Sequence, residues 1–211
     1  MAYLDNEPFS AFYNCIKIYH YMKILTTKII LIAGLFSFLS SWGQLPQTRS
    51  VNGLLVTVED NLLNVPPKGK YAKVADSLDK NLIRNPDDTT SLFYRALIYY
   101  THNQMLAEPY QRTKGTLENL TKAKEQIEKA IKIGMKDFRA KQLRAQIYSE
   151  LCYRFTGDES WMFNNAQMIS RKELFDNYKV LANRYIDELA MQDKNNAYQY
   201  TKRKVSYIYK L

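Results

Sequence analysis

Residues 116–134 read TLENLTKAKEQIEKAIKIG, and the spacing of their apolar side chains decides the fold. Leu120, Ala123, Ile127, Ala130 and Ile131 recur at three- and four-residue steps, while Lys122, Lys124, Glu125, Glu128 and Lys129 take the other side. That is the period of a helix with one buried stripe, about Thr116 to Ile133. Gly134 predicts its stop, because glycine enters the left-handed conformation that follows a helix without steric cost. The same period runs outward in both directions. Val74, Leu78 and Leu82 share a stripe that ends at Asn85-Pro86-Asp87-Asp88, where the residue before proline leaves the helical region. One of Asp87, Asp88 and Thr89 then caps a second helix, about Thr89 to Met105, carrying Leu92, Phe93, Ala96, Tyr99 and Tyr100. Downstream, a fourth helix covers about Asp137 to Phe155, a fifth about Trp161 to Met191 and a sixth about Asn195 to Lys210. Residues 44–70, where Pro46, Gly53, Pro66, Pro67 and Gly69 surround the alternating stretch Leu54 to Val58, predict an irregular lead-in, in which that stretch is a short strand or an extended arm. The expected fold class is all-α.

Composition narrows the function. With 46% hydrophobic and 24% charged residues among 211, and only 7 Gly and 6 Pro, the chain is neither collagen-like, linker-like nor disordered. Two cysteines cannot build a disulfide framework. The uncharged run Ile29 to Leu39 is shorter than the roughly 20 residues of a spanning helix. Lys23 and Lys28 precede it and Ser41-Trp42-Gly43 follows, which is the layout of a signal peptide, Met22 to Gly43, cleaved after Gly43. Residues 1–21 are then an upstream extension and Met22 the expected start; a long n-region or an N-terminal anchor is the alternative. Taking away residues 1–43 removes Lys17, Lys23, Lys28, Asp5 and Glu7 and leaves a charge of +8, with Cys152 and His102 as the one Cys and the one His. No Cys/His zinc site can be assembled from these, a triad or Cys-His pair could form only around His102, and no metal or cofactor is expected.

The helices repeat. Ala96-x-x-Tyr99, Ala145-x-x-Tyr148 and Lys204-x-x-Tyr207 fall at matching places on the second, fourth and sixth helices. Their partners read Ala123-x-x-x-Ile127-x-x-Ala130 and Ala182-x-x-x-Ile186-x-x-Leu189. This pattern, from Tyr71 to Leu211, resembles the tetratricopeptide repeat family, in which a small residue at the crossing point lets antiparallel helices approach while an aromatic fills the groove beside it. The units are longer than the family's, so extra residues fall near Ala107 to Gly115 and Thr156 to Asn165, and Lys204 breaks the small-residue rule. The resemblance implies antiparallel helical hairpins stacked as a short right-handed superhelix; an irregular helical bundle is the alternative.

It also implies a concave surface formed by the first helix of each pair. Its outward positions are Phe93, Leu97 and Tyr100, then Arg139, Gln142 and Gln146, then Tyr198 and Thr201, suited to holding an extended peptide; the plainer reading makes Phe93 and Leu97 core. The function expected is a non-catalytic protein-interaction or scaffold module of the bacterial envelope, in the periplasm or on the cell surface, partnered by an envelope protein or peptide. A module binding a glycan or other small ligand, led by Trp161, is the alternative. The composition of the basic, Tyr-rich stretch Tyr198 to Lys204 is shared by nucleic-acid binders, but export argues against nucleic acid and for an anionic membrane, an acidic glycan or an acidic protein, or simply a solvated face. Cys152 reads as a buried inert thiol, Asp158 and Glu159 as a turn rather than a calcium loop, and the Asn119 sequon as part of a helix.

Overall fold

The structure, a computed structural model, describes residues 45–58, 71–106, 115–156 and 162–209. Five long helices follow from the apolar stripes: α1 (Ala72–Arg84), α2 (Thr89–Leu106), α3 (Thr116–Lys132), α4 (Phe138–Phe155) and α5 (Asn165–Gln192). Their ends are set by local chemistry. The Asp88 carboxylate accepts from the Ser91 N–H at 2.9 Å and so caps α2. Gly134, at φ +112, closes α3 with Met135 N–H donating to Ala130 O and Gly134 N–H to Ile131 O, the crossed pair of a left-handed helix stop. Asp137 caps α4 through the Arg139 N–H, and its carboxyl is held below the usual range by the Arg139 guanidinium. Asn164 and Gln167 exchange side-chain bonds with each other's N–H at the start of α5.

Each helix packs on the next in the chain, α1 on α2 through to α4 on α5, and the all-α class stands. Ala96, Ala123, Ala130 and Ala182 have no exposed surface at all, and Ile127, Ala145, Ile186 and Leu189 are buried with them. Tyr148 is buried between the rings of Tyr178 and Tyr185, and burial together with the Glu128 carboxylate pushes its phenol well above the ordinary value. Tyr99 is only half-buried and takes a hydrogen bond from Arg95. Among the described residues no helix is long and apolar enough to cross a membrane.

Two expectations are corrected. The lead-in is not irregular throughout: β1 (Thr48–Val51) and β2 (Leu54–Thr57) pair antiparallel through a two-residue turn, with Val51 opposite Leu54. Asn52 and Gly53 sit at φ +49 and +80, the conformation such turns require. The sixth helix is also short: α6 (Ala197–Thr201) follows a 3-10 turn (Lys194–Asn196), and the chain then extends to Tyr209. The Asn183 side chain accepts from Val205 N–H at 2.7 Å and donates to Val205 O, so the main chain there is paired sideways to α5 rather than along a helix. Lys204 and Tyr207 therefore lie off any helix. Lys204 pairs with Asp187, and Tyr207 is half-exposed, not a packing position.

Candidate functional site

Arg139, Gln142 and Gln146 stand at i, i+3 and i+7 of α4, on one stripe. They all meet the β-hairpin. Arg139 Nη1 donates to Thr48 Oγ1, and Gln142 Nε2 donates to Ser50 Oγ at 2.8 Å and to the Tyr200 hydroxyl at 3.2 Å. Gln146 bonds the Leu55 peptide in both directions: its Oε1 accepts from Leu55 N–H at 2.8 Å and its Nε2 donates to Leu55 O at 3.0 Å. From α2, Tyr100 takes a further hydrogen bond from Gln146, while Phe93 and Leu97 are each 1% exposed.

Phe93, Leu97, Tyr100, Arg139, Gln142 and Gln146 do come together, but they present no open face: Phe93 and Leu97 are core, as the plainer reading has it, and the others are engaged by the hairpin or by one another. Leu55 and Thr57 of β2 are buried against them, and Gln142 is buried as completely as the core. Arg139, Gln142 and Gln146 hold the chain's own hairpin. Tyr198 and Thr201 do not join them: Tyr198 is exposed with the Lys202 ammonium 5.0 Å from its ring, and the Thr201 hydroxyl donates to Ala197 O within its own helix. Trp161, Asp158 and Glu159 lie outside the described residues, as do the His102 side chain and most of both expected insertions.

Tyr200 ties the assembly together. Its ring packs edge-on against Phe138 at 6.5 Å, its hydroxyl accepts from Gln142 and donates to Asp193 Oδ2, and its edge covers Gly53. Burial first, and then the Asp193 carboxylate, push its phenol upward.

Among the described residues no three His, Cys, Asp or Glu side chains converge. Cys152 is fully buried on α4, and burial pushes its thiol up to about 12. The thiolate is the reactive form, so a thiol reagent at pH 8 is expected to leave Cys152 unmodified in the native protein and to label it after unfolding, as read by peptide mapping. Because the folded value lies above the unfolded one of about 8.5, stability from this group is complete below that value and falls as pH rises toward the folded one. Comparison with known proteins finds no family model, no curated protein and no solved structure that matches the chain.

Proposed function

We propose that the chain is a non-catalytic interaction module of the bacterial envelope, built from tetratricopeptide-like helical hairpins stacked in a right-handed superhelix, which takes an extended segment of another protein on the face formed by α2 and α4. One observation carries the reading: Gln146 grips the Leu55 peptide group by both its N–H and its C=O. That grip reads main chain and no side chain, so any extended strand offering a peptide group at this place satisfies it. The hairpin occupies the face in cis, and a partner strand takes the place of β2. The small-residue crossings at Ala96, Ala123, Ala130, Ala145 and Ala182 support the repeat architecture, and the run Ile29 to Leu39 with its small-residue exit supports export.

The test is crosslinked capture from the native envelope with wild type, Gly53→Ala, and Gly53→Ala combined with Gln146→Ala. Weakening the hairpin turn is expected to raise capture of a partner, and removing the amide grip in that background to abolish the gain. Exposed apolar surface would raise capture in both variants alike. Equal capture by all three proteins, or capture by none, removes the reading.

A further inference from the structure

Beside the covered face lies a cleft of about 530 Å³ between the hairpin turn, α4, α5 and the segment that follows α6. Its volume lies within the about 300–1,000 Å³ of small-ligand sites. Three kinds of group line it. Tyr153 and Tyr207 offer aromatic rings 6.4 Å apart, each close to half-exposed. Ser149 and Ser206 supply hydroxyls, and Lys202 and Arg203 supply cations; the Gln146 amide also lines the cleft but is taken up by Leu55 and Tyr100.

The charge balance of this cleft selects the ligand. Glu150 lines it as well, but its carboxylate is engaged at 2.8 Å by Arg154, which is almost wholly buried. Lys204 is neutralised by Asp187 at 2.6 Å. Lys202 and Arg203 meet no carboxylate among the described residues: the guanidinium donates only to the Asn52 carbonyl, and the ammonium lies near the Tyr198 ring. Two positive charges therefore line an aromatic, hydroxyl-bearing cleft without a counter-charge among the described residues. A carboxylate satisfies them, since guanidinium and carboxylate pair at short range with directed hydrogen bonds. The remaining lining wants a ligand with apolar C–H faces for the tyrosines and hydroxyls for the serines. An aliphatic acid lacks the hydroxyls, and a nucleotide's flat base and multiple charges exceed two exposed cations.

We propose that this cleft binds an acidic sugar, a hexuronate, with its carboxylate on Lys202 and Arg203 and its ring against Tyr153 and Tyr207. The site adjoins the strand-holding face and shares Gly53, Tyr100, Gln142 and Gln146 with it, but the proposal does not rest on the reading of that face. Calorimetric titration of the full chain with D-glucuronate, a galacturonate trimer and D-glucose tests it, the first two distinguishing a free sugar acid from a unit of a polysaccharide. Saturable binding of either acidic sugar is expected, with glucose weaker by about tenfold or more. Lys202→Ala with Arg203→Ala, and separately Tyr153→Ala, are each expected to weaken that binding by about tenfold or more while the melting temperature changes little, since all three side chains are solvent-facing. Failure of both acidic sugars to bind, glucose binding as well as glucuronate, or binding that none of these variants weakens would each overturn the proposal.

Discussion

Replacing Tyr200 with alanine is expected to lower the stability of the protein by about 3–5 kcal/mol, the range for removing a large buried aromatic side chain. The residue is 1% exposed and joins three parts of the chain that are distant in sequence: Gly53 of the hairpin, Phe138 and Gln142 of α4, and Asp193 before α6. Removing it opens a cavity under the hairpin and also leaves the Gln142 amide one partner short in a buried place, which adds to the lost packing. Tyr200→Phe keeps the ring and loses only the hydroxyl's two bonds, so its cost is expected to be about 1–2 kcal/mol. Urea unfolding followed by circular dichroism measures both. A Tyr200→Ala loss no larger than that of Tyr200→Phe would show that the ring is not what fastens the hairpin and α6 to α4. With total stabilities of about 5–15 kcal/mol for native domains, the alanine variant approaches the point at which the fold fails.

The five long helices were legible because each is specified by its own residues. The stripe Leu120, Ala123, Ile127, Ala130 needs no distant partner to be recognised, and its stop at Gly134 is a property of one glycine. Asp88, Gly134 and Asp137 mark helix ends with side chains or backbone freedom that act within a few residues. The segments misread were the short ones, whose conformation is decided from far away. Thr48 to Thr57 carries a local hairpin signal in Asn52-Gly53 between two runs rich in β-branched residues, and the alternation from Leu54 to Val58 allows a strand, but Pro46 and Gly53 read equally as breakers. A four-residue strand pair is marginal by itself, and this one is fastened by Gln146, 91 residues away. At the other end, Val205-Ser206-Tyr207-Ile208-Tyr209 is a β-branched and aromatic run. The helical spacing of Lys204 and Tyr207 imitated a third repeat there, while Asn183, 22 residues earlier, pairs with the main chain and Tyr209 is buried.

The site was half legible for the same reason. Helical periodicity places Phe93, Leu97 and Tyr100 on one stripe and Arg139, Gln142 and Gln146 on another, and the fold brings the two stripes together. Periodicity says nothing of what covers them, because the cover comes from a segment outside the repeats. The cleft was invisible for a further reason: Tyr153 belongs to α4, Lys202 and Arg203 to the turn after α6, and only the sideways docking of residues 205–209 makes them neighbours. What the sequence did offer was a Tyr- and Lys-rich stretch, Tyr198 to Lys204, whose composition was visible but whose geometry was not.

Gly53→Ala is expected to cost about 2–4 kcal/mol, combining two separate physical causes. The first is backbone: Gly53 sits at φ +80, where a side chain is strained whatever the surrounding space, for about 1 kcal/mol or somewhat more. The second is contact. A Cβ at this position would lie 3.0 Å from Tyr200 Cε1 and 3.1 Å from Cδ1. That ring cannot step aside, because Phe138 flanks it and its hydroxyl is fixed between Gln142 and Asp193, so the clash is expected to add about 1–3 kcal/mol as overpacking does in a well-filled core. The two causes separate in a double-mutant cycle. In the Tyr200→Ala background the ring is gone and only the backbone strain remains, so the double variant should lose less than the sum of the single losses, by about 1–3 kcal/mol. Strict additivity would mean that Gly53 is needed for its turn and not for the approach of Tyr200. Coupling of that size would instead establish that the hairpin and the end of α6 are held by one shared contact, so that whatever displaces the hairpin from α4 also loosens the segment that forms the rim of the cleft.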